Sequence, residues 1–126
     1  MKFKLVMEIK AVVCLGFGIV LLFAPNVLMN LLGSSLSPAG IFMARVYGAA
    51  LFGNLILAWF AREAKESVAK QAIIKDLFVY DAIGFVVALQ VQLSGIFNTL
   101  GWSIVFVYLF LTIGFGYQLF PQKSTA

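Results

Sequence analysis

A chain of 126 residues with 63% apolar and 11% charged side chains allows one domain. Its mean hydropathy of +1.04 sets it apart from the soluble norm, in which about 25% of residues are charged. A soluble bundle of this length would need a polar face on every helix, and too few polar residues are present to supply them. The net charge of +4 does not point to nucleic acid, since no basic face is interleaved with aromatics and every Lys and Arg except Arg45 flanks an apolar segment. His is absent, which removes the commonest metal and haem ligand and the usual neutral-pH acid–base group. A single cysteine, Cys14, excludes an intrachain disulfide and reads as a small packing residue rather than a nucleophile.

The opening MKFKLVMEIK leads into a first expected span at 5–23. A basic start before an apolar run resembles a signal peptide, but Leu22 and Phe23 before Ala24 do not form a small-residue cleavage site, so a retained helix is expected. Pro25 ends that helix and starts PNVLMNLLG, expected as a short interfacial helix with Gly33 at its C-cap. The second expected span, 39–60, is long enough for a hydrocarbon core of about 30 Å, and Trp59 stands where an interfacial anchor belongs. The polar connector AREAKESVAKQ follows, and its Ala, Glu and Lys content predicts continued helix. A third span is expected at 72–93. A turn at Asn98–Gly101 follows, with Trp102 at the outer interface, and a fourth span at 99–120 stops at Pro121. Neither outer loop carries Lys or Arg, whereas Lys2, Lys4, Lys10, Arg62, Lys65, Lys70, Lys75 and Lys123 lie on the other side. Both termini are therefore expected to be cytoplasmic.

Setting residues 1–58 against 69–126 pairs Gly16 with Gly84, Phe17 with Phe85, Asn30 with Asn98, Leu32 with Leu100, Gly33 with Gly101, Gly48 with Gly116 and Phe52 with Phe120. Glu8 and Asp76 make a matched acidic pair. A duplication of this kind gives two parallel two-helix repeats, related by a pseudo-two-fold axis along the membrane normal. Asn-x-Leu-Gly would then mark the same outer bend twice, its glycine adopting a conformation other residues resist. The competing reading is two ordinary turns that share turn-forming residues. Small residues at four-residue intervals, Ala44 with Gly48, Ala49 with Gly53 and Gly84 with Ala88, predict close helix packing.

Asp81 is the foremost site candidate, because it lies near the expected midplane, where a carboxylate costs about 2.5–3.5 kcal/mol. Gly84, Ala88 and Gln92 share its helix face. Asn54 and Thr112 are at similar depth on spans two and four. Arg45 and Gln90 lie nearer the outer surface, and Arg45 is placed to snorkel. Asn54 is nine residues from Arg45, and Gln90 nine from Asp81, so these side chains cannot all face one pocket. Each has a plain structural reading, above all a hydrogen-bonded Asp81 that sets helix register. No Cys/His cluster, phosphate loop, acidic metal pair or base beside a nucleophile is present.

The motifs Phe23-Ala24-Pro25, Leu32-Gly33, Arg45-x-x-Gly48-Ala49, Trp59 and Gly101-Trp102 give the chain a diffuse similarity to a known group. It resembles small uncharacterised prokaryotic four-span membrane proteins of the domain-of-unknown-function type. The resemblance implies a fold and a prokaryotic membrane, and carries no activity. The expected fold is all-α, an integral membrane four-helix up-down bundle in the cytoplasmic (inner) membrane. The expected role is non-enzymatic, through helix packing, as an accessory subunit of a larger membrane complex or as a homo-oligomer. The alternatives are a small oligomeric transporter or channel using Asp81, and a lipid- or quinone-handling protein. No cofactor is expected, although a bound lipid or other lipid-soluble molecule fits the third reading. The partners expected are the lipid bilayer and other membrane proteins, with no nucleic acid.

Overall fold

Proline, glycine and serine punctuate the apolar runs, and the helix boundaries fall on them. In the computed structural model, which describes residues 2–119, the described residues form five α-helices and no strand. Helix α1, Phe3–Phe23, stops at Ala24, whose φ of −144° leaves the helical region as expected for a residue preceding proline. Pro25 then opens α2, Pro25–Leu31. Beyond α2, Gly33 takes φ +80°; its N–H donates to Asn30 O (3.1 Å), and Ser34 N–H donates to Met29 O (2.8 Å). These two bonds form a Schellman closure, which makes Gly33 the C-cap glycine expected from sequence. Ser37 Oγ accepts from Gly40 N (3.0 Å) and starts α3, Pro38–Ala61. Ser67 does the same for α4, Val68–Leu93, by accepting from Lys70 N (3.1 Å). Helix α5 spans Gly101–Leu119. Phe120, Pro121 and the QKSTA tail, which bound the fourth expected span, lie outside the described residues.

Three expectations require correction. Three helices, α1, α3 and α5, are long and apolar enough to cross a membrane, not four. Helix α4 is not among them, and its Lys70, Lys75, Asp76, Asp81, Gln90 and Gln92 make it the most polar of the long helices. The connector does not continue as helix: residues 62–67 form a turn and bend. Arg62 donates from Nη1 to Trp59 O (2.7 Å) and stacks on the Trp59 ring at 3.8 Å, while the Ser67 side chain competes for the backbone and restarts the helix. Nor do the two Asn-x-Leu-Gly segments bend alike. Gly101 is the first residue of α5, and the positive φ on that side of the chain falls on Gly95, at +79°.

Helix α1 packs chiefly on α3, and α4 on α5; the two hairpins touch each other mainly where α1 meets α5. At the α1–α3 crossing a Cβ on Gly48 would lie 2.9 Å from Leu22 N and 3.1 Å from Gly18 O, so glycine is required for the backbones to approach. Gly53, by contrast, meets nothing within 4 Å, and Ala49 is exposed, so that pair makes no close helix packing among the described residues. All four long helices contribute to an apolar core at one end, formed by Phe3, Val6, Met7, Ala58, Ile74, Leu77, Leu111 and Phe115. At that end Lys4 bonds Glu63 at 3.0 Å and Lys70 sits 4.5 Å over the Phe3 ring, which gathers the basic connector beside the start of α1. At the other end Asn98 bridges the hairpins. Its N–H donates to Leu32 O (2.8 Å) and its Nδ2 to Leu31 O (3.0 Å), satisfying carbonyls left open where α2 ends. Between these two closures the hairpins stand apart.

Candidate functional site

The gap between the hairpins is a cavity of about 540 Å³, within the range of pockets that hold small organic molecules, roughly 300–1,000 Å³. Each long helix lines it with one stripe at helical spacing: Lys10, Cys14, Phe17 and Leu21 from α1; Gly40, Ala44, Tyr47 and Leu51 from α3; Asp81, Gly84, Ala88 and Val91 from α4; Ile104, Tyr108 and Leu111 from α5. Leu28 and Met29 of α2, with Leu36 and Phe97, complete the wall toward the Asn98 end. Apart from a few groups, the lining is aliphatic and aromatic.

The polar exceptions converge. Lys10 reaches from α1 to α4, where its Nζ donates to Asp81 Oδ1 at 2.7 Å, with the two side chains 2% and 0% exposed. The Tyr80 ring lies under the same ammonium at 4.5 Å. An ion pair taken so far from water gains stability only through close geometry and further partners. The cation–π contact supplies one for Lys10, but Asp81 Oδ2 is buried with none. The Tyr47 and Tyr108 hydroxyls hydrogen-bond each other across the cavity and tie α3 to α5. The Tyr108 ring rests directly on Gly84, where any Cβ would collide with it. The Tyr80 hydroxyl is near that of Tyr47 but makes no well-formed hydrogen bond. Three phenols and one ion pair thus edge an otherwise oily chamber. Among the described residues no group of three or more Cys, Asp and Glu side chains could hold a metal ion.

Of the six residues singled out from sequence, only Asp81 lines the cavity. Arg45 and Gln90 are exposed. Thr112 Oγ1 donates back to Tyr108 O at 2.6 Å, within its own helix. Gln92 works at the far closure, where its Nε2 donates to Asn98 O at 3.0 Å and its side chain occupies the space a Cβ on Gly101 would need. Asn54 is half-buried on α3, its Nδ2 without a partner and outside the cavity lining. Sequence reasoning missed Lys10 and the three tyrosines. Lys10 was grouped with the interfacial lysines, yet it lies seven residues into α1, about 10 Å from the helix start. A buried carboxylate on one apolar helix calls for a cation on another, and Lys10 is the most deeply placed lysine of the first span.

Comparison with known proteins gives one match and two blanks. No curated protein matches the chain, and no solved structure does. A family model described as Domain of unknown function (DUF8292) covers residues 2–121. Because that match takes in nearly the whole chain, including both partners of the buried ion pair, the protein belongs to the DUF8292 family.

Proposed function

We propose that this protein is a non-enzymatic membrane protein that binds a lipid-soluble small molecule in the cavity between its two helical hairpins. The observation that carries this reading is an apolar chamber of ligand size whose few polar groups are the Lys10–Asp81 pair and the hydroxyls of Tyr47, Tyr80 and Tyr108. Such a wall suits a ligand with a long oily body and a compact polar end. In this reading α1, α3, α4 and α5 all cross the bilayer of a prokaryotic inner membrane, with both termini cytoplasmic. Two features support it. Asp81, the charge that most disfavours insertion of α4, is neutralised by Lys10. The basic residues also cluster at the Lys4–Glu63 end, whereas the Asn98 end has none in its loops.

The test is mass spectrometry of organic extracts from protein purified in mild detergent. One class of lipid-soluble molecule should be retained near one per chain, and Ala88→Phe, which fills the chamber from α4, should lose it while helicity is unchanged. Extracts that contain only bulk lipid, identical for wild type and Ala88→Phe, defeat the proposal.

A second reading rests on α3, where Ala49 is exposed and Gly53 has open space around it among the described residues. A helix of another copy or of a larger membrane complex would fit this small-residue face, as homo-oligomer or accessory subunit. Native mass spectrometry of wild type against Gly53→Leu distinguishes it, since a mass unchanged by the substitution and equal to one chain removes this reading.

A further inference from the structure

Taking the cavity as a ligand site, as proposed above, we infer that its occupant carries an uncharged hydroxyl head, phenolic or alcoholic, that donates a hydrogen bond to Asp81 Oδ2. The argument is one of charge and of donor inventory. Lys10 and Asp81 cancel each other at 2.7 Å, so the wall as a whole is neutral. An anionic head, such as a fatty carboxylate, would have to compete with Asp81 for the Lys10 ammonium and would face the Asp81 charge in a medium with little screening. A cationic head meets the same conflict with Lys10. A neutral head avoids both.

Among neutral heads the unfilled partners decide. An ionised carboxylate only accepts, and Asp81 Oδ2 is a fully buried acceptor with no donor in reach. A ketone, quinone or ether also only accepts. It can be met by a free Lys10 proton or by the Tyr80 hydroxyl, but it leaves Oδ2 orphaned, and a site built around an unpaired group rejects ligands that fail to pair it. A hydroxyl both donates and accepts. It pairs Oδ2 once the fully buried Asp81 side chain turns toward the cavity, and it accepts a hydrogen bond from Lys10 or from Tyr80.

The probes are 4-octylphenol, its methyl ether 4-octylanisole, decanoate and decylamine. Binding of each to nanodisc-embedded protein is measured by equilibrium dialysis against empty nanodiscs. The phenol should bind at least about tenfold tighter than the ether, as expected for one hydrogen bond to a charged acceptor, and also tighter than both ions. Lys10→Gln/Asp81→Asn, which keeps the shape and removes both charges, should shrink the phenol-to-ether ratio toward one. Equal affinity of phenol and ether in the wild type, or a preference for decanoate or decylamine, overturns the inference while leaving the cavity as a ligand site. If no probe exceeds its partition into empty nanodiscs, the underlying reading falls and this inference with it. Tyr80→Phe supplies a control that keeps the ring under Lys10: it should leave the phenol-to-ether ratio unchanged, and selective loss of the phenol would overturn the assignment of its donor contact to Asp81 Oδ2.

Discussion

Lys10 and Asp81 each occupy a position that neither could hold alone. Their bond at 2.7 Å makes the pair tolerable in a dry interior, but it does not make it cheap. Removing one partner leaves a naked charge, so Asp81→Leu or Lys10→Met should each destabilise the protein by about 3–5 kcal/mol. The double variant should recover most of that loss, because two apolar side chains of similar size replace the pair. Unfolding of all four proteins in detergent, read as a double-mutant cycle, checks this, and simple additivity would show that the two groups are not coupled. Lys4–Glu63 is the exposed counterpart. Its hydrogen bond to Lys4, aided by the Lys4 charge and then that of Arg62, holds the Glu63 carboxyl below its ordinary value of 4.5. The group is depressed in the folded state, so its contribution is complete above pH 4.5 and lost only as pH falls through the lower folded value. Glu63→Gln should therefore lower stability slightly at neutral pH, as befits an exposed pair, and match the wild type in acid, so that the acid limb of a pH–stability curve is flattened.

At the scale of elements, two contacts fix how the helices sit. The first is the α1–α3 crossing at Gly48. The groups a Cβ would strike are backbone atoms, Leu22 N and Gly18 O, which cannot rotate aside. Gly48→Ala should accordingly cost about 1–3 kcal/mol through overpacking and loosen the first hairpin, a change readable as lowered thermal stability. Gly53→Ala, on the same helix with nothing within 4 Å, is the matched control and should be neutral. The second contact is Asn98, which closes the end of α2 through Leu31 O and Leu32 O. Asn98→Ala should cost about 1–2 kcal/mol and raise amide hydrogen exchange around residues 29–34, without affecting exchange near Phe3 or Phe115. That locality separates a loop rivet from a global fold determinant. The boundaries at Pro25 and Gly33 were legible in the chain, since both residues act through backbone geometry that any tertiary context must respect. The break at 62–67 was not, because a side-chain cap at Ser67 overrode the good helix propensity of Ala, Glu and Lys around it.

At the scale of the whole molecule, the surface is as informative as the core. Phe23 is 76% exposed, Phe42 65% and Phe60 77%, an exterior that suits lipid and disfavours water. The larger buried cluster lies at the end where Phe3, Ile74 and Phe115 meet, a smaller one joins Cys14, Leu21 and Leu51, and a cavity opens beyond Lys10 and Asp81. The proposed orientation is open to direct measurement. In a Cys14→Ala background, a cysteine at position 65 should react with membrane-impermeant maleimide only from the cytoplasmic face, while one at position 35 should react only from outside. The reverse pattern would invert the topology and leave the cavity argument untouched.

What the chain alone determined are its local and average properties. These are an all-helical structure cut at Pro25 and Gly33, an apolar character, an uneven spread of positive charge along the chain, and a carboxylate at Asp81 that needed an explanation. Each follows from backbone sterics or from summed transfer energies, which act over a few residues or over the whole composition. The tertiary structure alone decided that Lys10, 71 positions away in sequence, is the partner of Asp81, that Tyr47 meets Tyr108, and that a space opens between the hairpins. Those facts depend on how far apart four helices stand, and that distance is set by contacts such as Gly18 with Gly48 and Gly84 with Tyr108, which couple residues that no sequence period links.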